Sequence, residues 1–292
     1  MCDEDTVEES ERYIAQQAGL TRREFNKLTA GAALTMMLPP VANAMDVAEA
    51  DVMVPTPDGE ADCYFVHPAE GKHPGVIIWP DILGLRPAFR TMGKRLAQSG
   101  YSVLVVNPYY RNAAAPVIEE GASFQDESTR NTVMPMYRSL SSETATTDAK
   151  SLVSYLDEQL PVDRERKIGT TGYCMGGPFT MYAAAAIPTR IGAGASFHGG
   201  RLVTDKADSP HLLVPKMKAQ FLFAIADNDD QRDPESKNVL RKSYDEAGLA
   251  AEIEVYEGAM HGWCPPDSRV YHEKQAERAW SRLLRLFETA LA

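Results

Sequence analysis

From residue 50 onward, short aliphatic and β-branched runs alternate with segments whose apolar residues recur every three or four positions. Val76-Ile77-Ile78-Trp79 and Val103-Leu104-Val105-Val106 are apolar without interruption, as strands covered on both faces must be. Further strands are predicted at Lys167 to Thr171, Gly192 to Phe197, Phe221 to Ile225 and Ile253 to Tyr256. Val52 to Val54 and Cys63 to Val66 flank the turn sequence Pro57-Asp58-Gly59, which predicts an opening hairpin. Helical spacing is found at Phe89, Met92 and Leu96, at Ala149, Leu152, Val153, Leu156 and Leu160, and at Trp280, Leu283, Leu284 and Phe287. Strands alternating with amphipathic helices predict an α/β fold on a mostly parallel sheet. Asn107 to Ser142 breaks the rhythm; it is long for a connection and predicts a lid, a substrate loop or short helices. With no repeat, low-complexity tract or linker, residues 45–292 read as a single domain.

The first 44 residues follow a different pattern. Thr21-Arg22-Arg23-Glu24-Phe25-Asn26-Lys27 precedes an apolar run from Leu28 to Val41, which closes on Ala42-Asn43-Ala44. The run is shorter than the roughly 20 apolar residues of a membrane span and contains Gly31 and two prolines, so no stable membrane anchor is expected. Charged region, apolar region and small-x-small triplet predict a signal peptide with twin arginines over residues 1–44. Its partner would be the twin-arginine export machinery and its destination the periplasm. The acidic residues before it, Glu4, Asp5, Glu8, Glu9 and Glu11 among them, are expected to form a solvated tail.

Charge and cysteine content narrow the chemistry. A formal net charge of −11 opposes nucleic acid or an anionic membrane surface as the main partner. Removing residues 1–44 leaves the remainder acidic. The four cysteines, Cys2, Cys63, Cys174 and Cys264, form no C-x-x-C pair, and no histidine cluster has metal-ligand spacing, so neither a disulfide framework nor a metal site is predicted.

Gly172-Tyr173-Cys174-Met175-Gly176-Gly177 lies between a strand and the helix-compatible segment Pro178 to Ala186. It matches the Gly-x-nucleophile-x-Gly elbow of α/β-hydrolases, with cysteine as nucleophile. The turn presses backbone against backbone, so a Cβ at Gly172 or Gly176 would clash. The helix start favours a thiolate and later an oxyanion. A nucleophile needs a base and the base an orienting acid. His261, in Gly258-Ala259-Met260-His261-Gly262-Trp263, follows a strand and precedes the last helix. His198 also ends a strand and is read as pocket lining or a structural histidine. His67, His73, His211 and His272 are expected in exposed loops or helices. The acid belongs in the loop Ala226-Asp227-Asn228-Asp229-Asp230, where Asp229 fits the small-x-x-Asp spacing of similar hydrolases and Asp230 is the alternative.

These segments, with Trp79-Pro80-Asp81-Ile82-Leu83-Gly84-Leu85, occur in an order that resembles the dienelactone hydrolase family over roughly residues 50 to 290. The resemblance implies an α/β-hydrolase fold, a catalytic set of Cys174, Asp229 and His261, an acid at Asp81 that helps generate the thiolate, and oxyanion donors at the Ile82 and Met175 backbone N–H groups. It implies no cofactor and a small-molecule ester or lactone substrate. Two positions depart from the family pattern: Asp81 stands where glutamate is usual, and Pro265 where an arginine binds the substrate carboxylate. Arg86, Arg90, Arg111 and Arg138 are the candidate replacements. Trp79, Tyr173, His198 and Trp263 are expected to line the pocket. The rival readings are a thioesterase or short-chain esterase with the same residues, a non-catalytic periplasmic binding protein, and a thiol-redox protein in which Cys174 pairs with Cys264 or Cys63.

Overall fold

The computed structural model describes residues 4–18 and 38–292. Arg22-Arg23 and most of the apolar run after them lie outside the described residues. Ahead of them the acidic segment is not a solvated tail but helix α1 (Glu4–Ala18), on which Thr6 and Ser10 are buried. Among the described residues no helix is long and apolar enough to cross a membrane.

The domain opens on the predicted hairpin, β1 (Val47–Thr56) and β2 (Gly59–Pro68), paired antiparallel with Thr56 opposite Gly59. The chain continues through β3 (Gly75–Trp79), α2 (Pro87–Gln98), β4 (Ser102–Val106), α3 (Glu127–Arg138) and α4 (Ser142–Glu158). Next come β5 (Ile168–Tyr173), α5 (Gly176–Ala186), β6 (Ile191–Phe197), a 3-10 turn (Pro210–Lys216) and β7 (Gln220–Ala226). The last elements are α6 (Asp227–Arg232), α7 (Ser236–Ala247), β8 (Ala251–Tyr256) and α8 (Glu273–Ala290). The eight strands form one sheet in the order β1-β2-β4-β3-β5-β6-β7-β8. From β4 to β8 every pair is parallel.

The apolar runs are buried because both faces of the sheet carry helices. Ile77 and Trp79 enter one core cluster and Val76 and Ile78 the other, as the period of two requires. Phe221 and Phe223 likewise oppose Leu222 and Ala224. Helix α4 ends sooner than its apolar spacing predicts. Leu160 precedes Pro161, which disfavours helical backbone before it, and Leu160 is 86% exposed. The stretch from Asn107 to Ser142 contains α3, whose Val133 packs with Tyr109, Ile82, Cys174 and Met175 in a third, smaller apolar cluster. That cluster places the lid-like segment over the end of β5, where the parallel strands present their carboxyl ends.

Candidate active site

Cys174 sits between β5 and α5 with φ +53°, a left-handed conformation that costs a side-chain-bearing residue roughly 1–2 kcal/mol. The neighbouring glycines permit it. A Cβ at Gly172 would lie 2.0 Å from the Gly176 carbonyl oxygen, and one at Gly176 would lie 2.4 Å from the Trp79 carbonyl oxygen. The turn is therefore held by backbone packing on both sides. The Cys174 carbonyl accepts from the Gly177 and Gly200 N–H groups, and its own N–H donates to the Phe197 carbonyl.

The acidic segment after β7 is helical, not a loop: Asp227 to Arg232 form α6, with Asp229 in its first turn. Asp229 Oδ2 is 2.7 Å from His261 Nδ1. Asp230 is instead bound through both carboxylate oxygens to Lys237 Nζ at 2.5 and 2.6 Å. Thus of the two aspartates, Asp229 is the one brought to the histidine. Asn228, which no motif singles out, accepts the His261 backbone N–H at 2.8 Å and so fixes the chain at that residue.

The electrostatics of the pair follow from burial and charge. Burial alone would favour neutral imidazole, but the negative charges of Asp229 and Cys174 prevail and hold His261 up at about 9. Burial pushes the Asp229 carboxyl the other way, against the nearby imidazolium, which wins and holds the acid at about 2. Both directions describe an imidazolium paired with the Asp229 carboxylate. His198, nearly fully buried with φ +40°, meets the His261 ring edge-on at a centroid distance of 5.1 Å. Burial, and next the His261 charge, hold it well below the ordinary histidine range, so it is neutral.

Two clefts meet at Cys174. The larger, about 320 Å³, is walled by Tyr137, Arg138, Leu140, Phe179, Tyr182 and Arg201. The smaller, about 80 Å³, is lined by His261, His198, Phe124 and Asp81, and by Thr6, Val7 and Ser10 of α1. Ile82 borders both, and Met175 borders the larger. The Tyr109 hydroxyl, fully buried, lies 2.8 Å from the Ile82 carbonyl oxygen and 3.2 Å from Met175 Sδ. It ties together the two peptide segments expected to supply oxyanion donors, a role that no sequence motif announced.

Other expected site residues are placed elsewhere. Trp79 is core: its indole N–H donates to Thr170 Oγ1 at 3.0 Å and its ring packs edge-on to Phe179. Tyr173 stacks on Phe197, and Trp263, fully buried, stacks on Tyr256. Large rings beside an elbow seal the sheet, so of the four expected pocket residues only His198 lines a cleft beside Cys174. Asp81 lines the smaller cleft, but its oxygens are bound by Arg86 at 2.6 and 3.0 Å, and one also accepts the Leu83 N–H. Burial pushes the Asp81 carboxyl up and the guanidinium acts against it. The aspartate is thereby neutralised in a pair that pins the turn after β3.

That pair also removes Arg86 as a free cation, since it bridges Asp81 to Asp267. Arg111 is held by Asp148 and Asp58, and Arg90 by Asp51 over the Tyr64 ring. Arg138 alone of the four candidates lines a cleft at Cys174 without an ion pair among the described residues, on an exposed rim with Arg201 and Lys206. The four remaining histidines are half-buried, not exposed, and His67 lies in strand β2. Cys63, Cys174 and Cys264 are buried and form no disulfide among the described residues. Among the described residues no group of three or more metal-ligating side chains is assembled.

Comparisons with known proteins agree with this architecture. The model of the dienelactone hydrolase family matches residues 61–291. A Synechocystis protein named "Putative carboxymethylenebutenolidase" is 26% identical over 256 residues, covering 85% of this chain and 99% of the relative. A "Putative Dienelactone Hydrolase" structure from Klebsiella pneumoniae superposes with a TM-score of 0.72 at 22% identity, over 84% of this chain and 99% of the other. A dienelactone hydrolase-like promiscuous phosphotriesterase from metagenomic libraries gives 0.69 at 19% identity, over 84% and 99%. These structural likenesses bear on the fold.

Proposed function

The chain belongs to the dienelactone hydrolase family, a family of carboxylic ester and lactone hydrolases, and from that premise we propose that it works through a Cys174 acyl-enzyme. The observation that carries this reading is the strained Cys174 at the elbow, opening on the cleft that His261 lines with Asp229 at its Nδ1. The thiolate attacks the carbonyl carbon, forming a C–S bond while the Ile82 and Met175 N–H groups hold the oxyanion. The C–O bond to the alcohol breaks as His261 donates its proton to the departing oxygen. Water then adds to the thioester, giving its proton to His261, and the C–S bond breaks to return thiolate and free acid. Asp229 keeps the imidazole in the orientation both steps need.

The substrate class follows from where the cations are. A carboxylate buried without a partner costs several kcal/mol, and three of the four replacement arginines are already bound to carboxylates of the protein. Arg138 and its neighbours are exposed, and an exposed ion pair contributes only about 0–1 kcal/mol. The apolar wall of Tyr137, Leu140 and Phe179 favours neutral acyl groups. On a panel of esters, lactones and thioesters, neutral short-chain aryl esters or neutral lactones are expected to give higher kcat/KM than a carboxylated dienelactone. A preference for the carboxylated lactone that weakens with salt would reverse this and assign the clamp to the Arg138 rim. A thioester preference would make the enzyme a thioesterase with the same residues.

We further propose export through the twin-arginine machinery to the periplasm, on the strength of Arg22-Arg23 and the apolar run that follows. N-terminal sequencing of exported protein is expected to begin near Met45. A start at Met1 would remove the signal reading.

A further inference from the structure

Helix α1 lies against the catalytic cleft through one face. Thr6 and Ser10, four residues apart, are 6% and 2% exposed, and with Val7 they line the small cleft that Cys174, His198 and His261 share. The opposite face carries the exposed pair Glu8–Arg12. Glu9 anchors the helix to α6: its Oε2 accepts from Asn228 Nδ2 at 2.7 Å and from Arg232 Nη2 at 2.9 Å. Asn228 is the residue whose other amide atom accepts the His261 N–H. The same side chain therefore ties the helix and the catalytic histidine together.

The position of the helix relative to the chemistry has a consequence. In the acyl-enzyme mechanism the histidine protonates the departing alcohol, so the alcohol must lie on the His261 side and the acyl group in the larger cleft. Of the two clefts, the one on the His261 side is the one roofed by α1 and holds only about 80 Å³, against about 320 Å³ on the acyl side. Resting on the ester-hydrolase reading above, we propose that α1 sets leaving-group specificity: docked, it admits only small alcohols, and released, it opens the cleft to large ones. Helix α1 docks through side chains, the Glu9 bonds to Asn228 and Arg232, the Arg232 bond to Thr6 and one buried stripe, so its release need not break the sheet or its flanking helices. If the signal reading holds, removal of residues 1–44 converts a restricted precursor into a broader enzyme after export.

The test uses the full chain and two esters with one acyl group, methyl acetate and benzyl acetate. Glu9→Lys sets a cation against Arg232 and is expected to speed hydrogen exchange over residues 4–18 and to raise the benzyl-to-methyl ratio of kcat/KM about tenfold. Combining it with Arg232→Glu rebuilds the pair in reverse and should return both readouts toward the parent. Faster exchange with an unchanged ratio, both esters being turned over, would overturn the roof and leave the hydrolase reading standing. Unchanged exchange would overturn it as well, because Glu9 would not be the anchor. No turnover of either ester by any form removes the ester reading, and the proposal with it.

Discussion

Cys174→Ala is expected to lower kcat by about 10⁴-fold or more, the loss typical of removing a nucleophile that acts with a base as one unit. The thiol is buried among Ile82, Tyr109, Val133 and Met175, so trimming it leaves a small void and the stability cost should be about 1 kcal/mol. Stability adds an independent check on the elbow. Because φ at this residue is +53°, Cys174→Gly should relieve strain that Cys174→Ala retains, and be more stable than it by roughly 1 kcal/mol while equally inactive. Cys63→Ala and Cys264→Ala, at buried thiols elsewhere in the core, are expected to keep turnover. Burial pushes the Cys264 thiol well above its usual range and the Cys63 thiol up too, so neither is populated as thiolate near neutral pH. Mass spectrometry of the wild type quenched during turnover should find the acyl adduct on the peptide containing Cys174. Full activity in Cys174→Ala would end the covalent mechanism.

Much of the fold was legible because burial on both faces leaves a plain mark in the sequence. Uninterrupted runs such as Val76 to Trp79 and Val103 to Val106 could only be interior strands, and the hairpin turn Pro57-Asp58-Gly59 is written in residue types that supply turn backbone. Helix α7 was missed because it sinks only Leu240 and Tyr244 into the core, too few for a periodic signal. The α6 segment reads as a loop in sequence because four aspartates in eight residues resemble a solvated turn, whereas three of them sit in a first helical turn, where negative charge is favoured. The elbow was legible for a steric reason that now has distances attached, 2.0 Å and 2.4 Å for the forbidden Cβ atoms. Aromatic residues near it were not a guide to the pocket. Trp79, Tyr173 and Trp263 all lie within two positions of a candidate site residue, yet Trp79 and Tyr173, at the ends of β3 and β5, turn into the core, and Trp263, in the loop after β8, is buried by stacking on Tyr256. The contact between α1 and α6 joins residues 223 positions apart and involves side chains common on any surface, so no local pattern could announce it.

Asp229→Asn should lower kcat by roughly 10³- to 10⁴-fold, through loss of the carboxylate that orients the imidazole and stabilises its charged form. Asp230→Asn, which loses only a partly exposed pair with Lys237, should change kcat by no more than a few-fold. The two aspartates also differ in what they do to pH dependence. Burial pulls His261 toward neutrality, and the Asp229 charge, next the Cys174 charge, overcome that pull and hold it at about 9. Without the Asp229 charge burial gains ground, so the alkaline limb of kcat/KM, where the imidazolium loses its proton, should move to lower pH in Asp229→Asn and stay in place in Asp230→Asn. Stability carries the same sign. A histidine whose pKa rises from 6.5 unfolded to about 9 folded adds stability that is complete below 6.5 and is lost as pH climbs through 9. Asp229, lowered from 3.8 to about 2, adds stability that is present above 3.8 and is lost as pH falls through 2. Denaturant midpoints of the wild type should therefore fall between pH 6 and pH 9.5 by more than those of Asp229→Asn, in which the charge that raises His261 is gone. Equal slopes in the two proteins, or a larger loss of activity in Asp230→Asn, would separate His261 from Asp229 and move the orienting role along α6.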